Sequence, residues 1–200
     1  MWGSIMNDLE AAEIKAIPTS LHGSLGRLLS AGKDATRTND PRQSVRLSAA
    51  TESQTFRHFG DDSREGAEFS VRRSGLTKHL AYNLEVTQAV DPWDGDKTHY
   101  DNSYFGFVVG NWIGLVGNIE KWWGPGWNSS IMLSNNARPT PGFTLHRNYS
   151  EASELPLLRL LGPWTTNLFI SKLDDERFIE DAKLVGLTVG FRPIPSVEIN

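Results

Sequence analysis

The densest group of side chains able to bind a ligand is an aromatic run, Trp122-Trp123-Gly124-Pro125-Gly126-Trp127. The flat face of an indole ring is a good platform for a sugar, because sugar C–H groups meet the π cloud with little loss of hydration. Trp122, Trp123 and Trp127 are therefore candidate glycan-binding residues. The same rings would also suit the aromatic girdle of a membrane protein, or interior packing beside the Gly-Pro-Gly bend. Consecutive tryptophans at a strand end favour one of these structural roles.

A polar run, Ser134-Asn135-Asn136-Ala137-Arg138, follows a few residues later. Its amide and guanidinium groups are donors suited to sugar hydroxyls or to the carboxylates of uronic acids. Asn135, Asn136 and Arg138 are accordingly candidate glycan-binding residues as well. A polar network inside the lumen of a barrel explains the same residues equally well.

Signals for catalysis or metal binding are weak. Cysteine is absent, which excludes thiolate ligands and a cysteine nucleophile, and the five histidines are scattered. No serine elbow, phosphate loop or Rossmann glycine pattern occurs. The acidic loop of Asp91, Asp94, Asp96 and Asp101 could offer calcium oxygen ligands, but it lacks the spacing of known loops, so a solvated turn is the better interpretation. We therefore expect no catalytic residue, no metal site and no cofactor.

The composition is that of a folded protein with an unusual content of tryptophan and glycine. Hydrophobic residues make up 38% of the 200 residues and charged residues 22%, so the chain is too apolar for a disordered tail. The net charge of −4 gives no net attraction to nucleic acid. Seven Trp and 18 Gly suit β-structure, carbohydrate contacts or a membrane interface. No apolar stretch is long enough for a membrane-spanning helix. This test does not detect transmembrane β-strands.

The sequence around these candidates predicts mostly strands. From residue 42 onward apolar residues alternate with polar residues or glycines, which is the period of a β-strand. The longest run covers residues 78–90, and a later set of apolar residues shares one parity: Phe105, Phe107, Val109, Ile113 and Leu115. Strands of about ten residues are long for a soluble domain and normal for an outer-membrane barrel. Alternation and length together leave a transmembrane barrel and a soluble β-domain both open.

The N-terminal residues have the period of helices instead. Apolar side chains at helical spacing predict helices over residues 4–15 and 20–30, with Leu21, Leu25 and Leu28 packing against Ile5 and Leu9. A polar, turn-rich stretch follows. We therefore predict an N-terminal helical segment over residues 1–32, a linker over 33–41 and a β-domain over 42–200.

The segment of residues 120–139, which contains both candidate runs, strongly resembles the signature stretch of the capsule assembly Wzi family of Gram-negative outer-membrane proteins. Further matching segments extend the resemblance over nearly the whole chain: Trp2-Gly3-Ser4-Ile5, Phe56-Arg57-His58-Phe59-Gly60-Asp61, His146-Arg147-Asn148, Leu161-Gly162-Pro163-Trp164, Leu173-Asp174-Asp175-Glu176-Arg177 and Gly190-Phe191-Arg192-Pro193. Residues 33–54 and 94–102 match least.

The resemblance implies a mainly β fold: an antiparallel transmembrane β-barrel, partial and open in this chain, with a short N-terminal helical bundle at its periplasmic end. It implies a non-catalytic surface lectin of the bacterial outer membrane that helps attach capsular polysaccharide to the cell. Its partners would be capsular polysaccharide and outer-membrane lipid, with no nucleic acid. Family members carry a signal peptide, which this sequence does not show, and are about twice as long, so we interpret the chain as an internal fragment.

Two other classes of function compete with the lectin. An outer-membrane channel would need a water-filled lumen that is open at both ends. A soluble β-sheet enzyme acting on glycans would need two carboxylates held about 5–10 Å apart. A barrel would require detergent for extraction, and a plugged barrel would conduct little current.

A barrel also predicts which face each side chain takes. Leu80, Tyr82, Leu84 and Val86 should face lipid, and His79, Asn83, Glu85 and Thr87 should face the lumen. The same alternation should place Val185, Leu187, Val189 and Phe191 outside, and Thr188 and Arg192 inside. A charge at Leu84 should then cost about 2–4 kcal/mol near mid-membrane, and the same change at Asn83 much less.

Overall fold

The computed structural model describes residues 18–51, 53, 56–60, 63–124, 126–173 and 178–199. A short 3-10 turn, Thr19–Leu21, leads into helix α1, His22–Thr36. The helix ends later than predicted because Ala31, Lys33 and Ala35 favour helix and proline first recurs at Pro41. The helix therefore includes residues 33–36, the first four residues of the expected linker, while the division into three segments stays a prediction. The helix predicted over residues 4–15 and its packing partners Ile5 and Leu9 lie outside the described residues.

Every strand in the described residues belongs to one antiparallel sheet. Neighbours along the chain are neighbours in the sheet, except that the two-residue β4 pairs only with β3, so β5 also pairs with β3. The strands are β1 Arg42–Ala49, β2 Ala67–Leu76, β3 Leu80–Val90, β4 Thr98–His99, β5 Tyr104–Val109, β6 Trp112–Asn118, β7 Pro141–Arg147, β8 Trp164–Lys172, β9 Lys183–Ile194 and β10 Val197–Ile199. The predicted mainly β, antiparallel fold is confirmed, and the sheet is open in this chain.

The burial pattern of the sheet is the reverse of that in a soluble protein, because apolar side chains are exposed and polar side chains are buried. On β3, Leu80, Leu84 and Val86 are exposed, whereas Asn83 and Glu85 are buried. Across the described residues, two apolar side chains are buried (Ala89 and Phe169) and twelve polar or charged ones are. We call the side bearing Leu84 the bare face and the side bearing Glu85 the covered face. A sandwich would pack the bare face on a second sheet, and the described strands form no second sheet.

The predicted alternation holds on β3 and β9, with differences at the ends. Val185, Leu187 and Val189 are exposed, and Thr188 on the opposite face is half-buried. His79 precedes β3 and is exposed, so it adds nothing to the covered face. Arg192 is exposed near the end of β9, where its guanidinium donates to the carbonyl oxygen of Pro195.

The shared parity of residues 105–115 implies one common face, and this is wrong for Ile113 and Leu115. A tight turn at Gly110, whose φ is +56°, pairs Val109 with Trp112. This antiparallel register pairs Gly106 with Leu115 on the covered face, while Val116 lies on the bare face with Phe105. The turn changes which parity faces outward, so the alternation has to be counted separately in each strand.

The connections between strands differ at the two ends of the strands, which we call the long-loop edge and the short-turn edge of the sheet. The long-loop edge carries residues 50–66, 91–103, 119–140 and 173–182, and the short-turn edge carries residues 77–79, 110–111, 148–163 and 195–196. Three of the four connections at the short-turn edge are tight turns, and this asymmetry is typical of outer-membrane barrels. None of the helices in the described part of the chain combines the length and apolar character needed to cross a membrane.

Candidate functional site

Three connections of the long-loop edge meet in a cluster of ionic side chains. We define the ion cluster as three arginines and four carboxylates: Arg57, Arg64, Arg138, Glu65, Asp94, Asp101 and Glu120. They come from residues 50–66, 91–103 and 119–140, which are separate loops. Because buried charges are stable only when they are paired and hydrogen-bonded, this cluster fastens the three loops to one another.

Arg138 lies at the centre of the cluster. Its Nη1 donates to Asp101 at 2.7 Å and its Nη2 to Glu65 at 2.9 Å, and its Nε donates to Asp94. The planar fork of a guanidinium suits this arrangement, in which three nitrogens meet three carboxylates. Each side-chain nitrogen of Arg138, a predicted glycan-binding residue, therefore already donates to a carboxylate of the protein.

Arg57 and Arg64 share the carboxylate of Glu120, at 3.3 Å and 3.0 Å. Both also hold the polar run of residues 134–138. Arg64 donates to the carbonyl oxygen of Asn136, and the backbone N–H of Arg57 donates to the Asn136 side chain at 2.9 Å. Asn135 is buried and donates to the carbonyl oxygen of His58. Asn135 and Asn136 thus bind neighbouring loops, and glycan contacts by them stay a prediction.

The cluster rests on polar side chains of the covered face. Glu85 of β3 lies between Arg46, at 3.2 Å, and Arg72, at 2.8 Å. Glu68 of β2 accepts the backbone N–H groups of Arg64 and Glu65. A water-sized cavity of about 30 Å³ is lined by both the cluster and these strand residues. The long loops are therefore folded over the covered face.

The three candidate tryptophans have different surroundings. Trp123 packs edge-on against Phe169 of β8, with ring centroids 5.2 Å apart, and a Cβ added at Gly186 would overlap both rings. This contact fits the interior-packing interpretation for Trp123. Trp122 donates its indole N–H to the carbonyl oxygen of Gly126, and both Trp122 and Trp127 contact the ring of Phe59.

Trp127 is 72% exposed, so of the three it has the ring face most open to a ligand. All three tryptophans lie in residues 119–140, beyond the end of β6. Sugar binding by Trp122, Trp123 and Trp127 stays a prediction.

A pocket of about 250 Å³ opens beside the ion cluster. Its lining includes Arg64, Glu65, Asn136 and Arg138. Trp93, at the rim, is 86% exposed. An exposed indole beside hydrogen-bonding groups is the combination that sugar recognition needs, one apolar face with polar groups around it.

Asp94 and Arg138 each favour the charged form of the other. Burial opposes ionisation of Asp94, but the hydrogen bond and positive charge of Arg138 outweigh it and lower the pKa of Asp94. Burial likewise opposes the charge of Arg138, yet Asp101 and Asp94 raise the pKa of Arg138. Burial lowers the pKa of Arg64 and of Lys121.

The acidic loop is only in part the solvated turn that we predicted, because Asp91 and Asp96 are exposed but Asp94 and Asp101 are paired. Asp94 and Asp101 bind Arg138, because the loop folds back onto residues 119–140. Within the part of the chain that the structure describes, no group of three or more His, Asp or Glu residues is placed to hold a metal ion.

Sequence reasoning missed several residues of this site, among them Trp93, Arg64 and Glu65. Trp93 stands alone between Pro92 and Asp94, and a single aromatic residue in a turn carries no spacing signal. Arg57 and Glu120, which pair in the structure, do lie in segments that carried the family resemblance. That resemblance was the available hint in the sequence.

Comparisons with known proteins agree with this architecture. The family model of "Capsule assembly protein Wzi" matches residues 36–200. An uncharacterized 55.8 kDa protein of the cps region of Klebsiella pneumoniae is 27% identical over 139 residues, which are 69% of this chain and 27% of that protein.

A solved structure is similar in fold: Wzi of Escherichia coli, described as an outer-membrane protein involved in group 1 capsule assembly and a carbohydrate-binding β-barrel. It superposes with a TM-score of 0.81 at 20% identity, over 97% of this chain and 43% of that one. The chain thus spans less than half the length of either protein. On the match over residues 36–200, this chain belongs to the capsule assembly protein Wzi family.

Proposed function

We propose that this protein lies in the outer membrane of a Gram-negative cell and binds capsular polysaccharide at its long-loop edge, so that the polymer stays on the surface. The observation that carries the proposal is the ion cluster, which joins three long loops into one surface at one edge of the sheet. The similar Escherichia coli structure is described as a carbohydrate-binding β-barrel in capsule assembly, which supports the same role here.

The bare face supports the membrane location. Leu84, Val86 and Leu187 are exposed there, together with many other apolar side chains. In water such a surface would drive aggregation, whereas lipid tails solvate it. Polar groups on the covered face, such as Glu85, are satisfied by neighbouring arginines and need no contact with lipid.

The chemistry of the cluster supports binding without catalysis. A glycosidase needs one carboxyl group whose pKa is raised, so that it can donate a proton to the leaving group. The cluster does the reverse at Asp94, whose pKa is lowered beside Arg138. Glu65, Asp101 and Glu120 are each paired with arginine as well. These carboxylates are held in ion pairs that join the loops, which suits a structural role.

The proposal is tested by deleting the gene in its encapsulated host and measuring polysaccharide in the cell and medium fractions. We expect polysaccharide to move from the cells to the medium while the total changes little, because attachment is lost and synthesis is not. Complementation with the intact gene should restore the cell-bound fraction. If the cell-bound share stays unchanged on deletion, the attachment role is wrong.

A further inference from the structure

Trp93 occupies a fixed position although its side chain is exposed. It follows Pro92 in a tight turn closed by a hydrogen bond from the Gly95 N–H to the Pro92 carbonyl oxygen. Gly95 has a φ of +80°, which favours glycine at this position of the turn. Two hydrogen bonds attach the turn to the other two loops: the Trp93 N–H donates to Glu65 at 3.3 Å, and Asp94 accepts from Arg138.

Glu65 is the residue that connects this turn to the other two loops. It is 5% exposed, and its Oε1 accepts from Arg138 while its Oε2 accepts from Trp93. One carboxylate thus sets the position of the Trp93 backbone relative to Arg138. A ligand that stacks on the Trp93 ring would therefore meet a preorganised surface, with less entropy lost on binding.

The charged groups that line the pocket next to Trp93 are already paired with one another or with their neighbours, which disfavours an anionic ligand. Each side-chain nitrogen of Arg138 already donates to a carboxylate, and Arg64 binds Glu120, Asp101 and the backbone of residues 136–137. The ion cluster as a whole has three guanidinium groups and four carboxylates. A sugar carboxylate would have to compete with the protein's own carboxylates for the guanidinium groups of Arg64 and Arg138.

The size of the pocket suits one ring. Its volume of about 250 Å³ is below the roughly 300–1,000 Å³ of pockets for drug-sized ligands. Asn136 and Trp93 both line it, so a hydrogen-bonding residue and an indole border the same space. This pairing matches a pyranose, which has one C–H-rich face and a rim of hydroxyls.

We propose that the pocket beside Trp93 is a binding subsite for a single uncharged pyranose ring of the polysaccharide, stacked on the Trp93 indole and positioned by Glu65. The inference rests on the proposed function and specifies where, and through which chemical class of residue, the polymer is held. It also revises the expectation that Arg138 receives uronate carboxylates.

The test measures binding of capsular polysaccharide purified from the producing strain to the intact protein in phospholipid vesicles. Trp93→Ala should weaken binding about tenfold, the loss expected for one stacking contact. Trp93→Phe should keep most of the affinity, since it retains a flat apolar face. Tyr100→Ala is the matched control, because Tyr100 is an exposed aromatic residue of the same loop outside the pocket, and it should bind as the wild type does.

The outcomes separate the subsite from the proposed function. If the wild type binds and Trp93→Ala binds equally well, the subsite is wrong and the proposed function stands. If the wild type does not bind, the proposed function fails, and the subsite fails with it. The affinity difference between wild type and Trp93→Ala should persist from low to high salt. Its disappearance at high salt would show an ionic contact and overturn the assignment to an uncharged sugar.

Discussion

Replacing Arg138 with methionine is expected to lower the free energy of unfolding by about 3 kcal/mol, because it leaves several carboxylates without their shared cation. Glu65 is 5% exposed, so its charge has little access to water once Arg138 is gone. The expected loss lies at the lower end of the range for broken buried pairs, since Asp94 is part-exposed. Urea unfolding of the protein in lipid vesicles measures it.

Arg37→Met is the matched control for this substitution. Arg37 also pairs with two carboxylates, Asp34 and Asp40, but all three side chains are more than half exposed. Exposed pairs contribute about 0–1 kcal/mol, so this variant should unfold almost as the wild type does. Equal stability of the Arg37→Met and Arg138→Met variants would show that the ion cluster does not hold the loops together.

Replacing Leu84 with arginine should destabilise the protein in lipid by about 2–4 kcal/mol, because a charge at the middle of the bilayer loses its hydration. Leu84 lies near the centre of β3 on the bare face, where its side chain is 42% exposed. Val90→Arg, on the same face at the end of the strand, should cost only about 0–1 kcal/mol because it reaches the interface. Equal costs at the two positions would contradict a bare face that spans the bilayer.

The structure also shows why Asn83 is a poor control, contrary to the expectation that a charge there would cost much less. Asn83 is buried, and its side chain donates to the carbonyl oxygen of Asn102 at 2.7 Å. Arginine would lose this bond and has little space, so its cost would mix several effects. Val90 isolates the effect of depth more cleanly.

Alternation within a strand could be predicted from sequence because it depends only on local geometry. The faces of β3 follow directly from the period of two, and they are observed as predicted from Leu80 to Thr87. The prediction failed where one run was extended across a turn, as with Ile113 and Leu115 after Gly110. Helix α1 was placed correctly at its start and ends at Thr36, since no residue signalled a stop at residue 30.

The candidate site was less predictable because it is made by contacts between distant loops. Arg138 reaches Glu65 over a separation of 73 residues, and no local pattern specifies that pairing. The run of residues 134–138 was recognised as polar, but polarity alone does not distinguish a ligand-binding arginine from one that binds three carboxylates. Trp93 became a candidate only when its exposure and its neighbours in space were known.

The most direct test of the account is an equilibrium binding measurement. Vesicles that contain the purified protein are titrated with capsular polysaccharide of the producing strain, and vesicles that contain an unrelated outer-membrane barrel serve as the reference. We expect saturable binding that is specific to the protein and is weakened in the Arg138→Met variant, whose loops are no longer fastened. Binding no greater than that of the reference vesicles would contradict the assignment of the long-loop edge as a polysaccharide-binding surface.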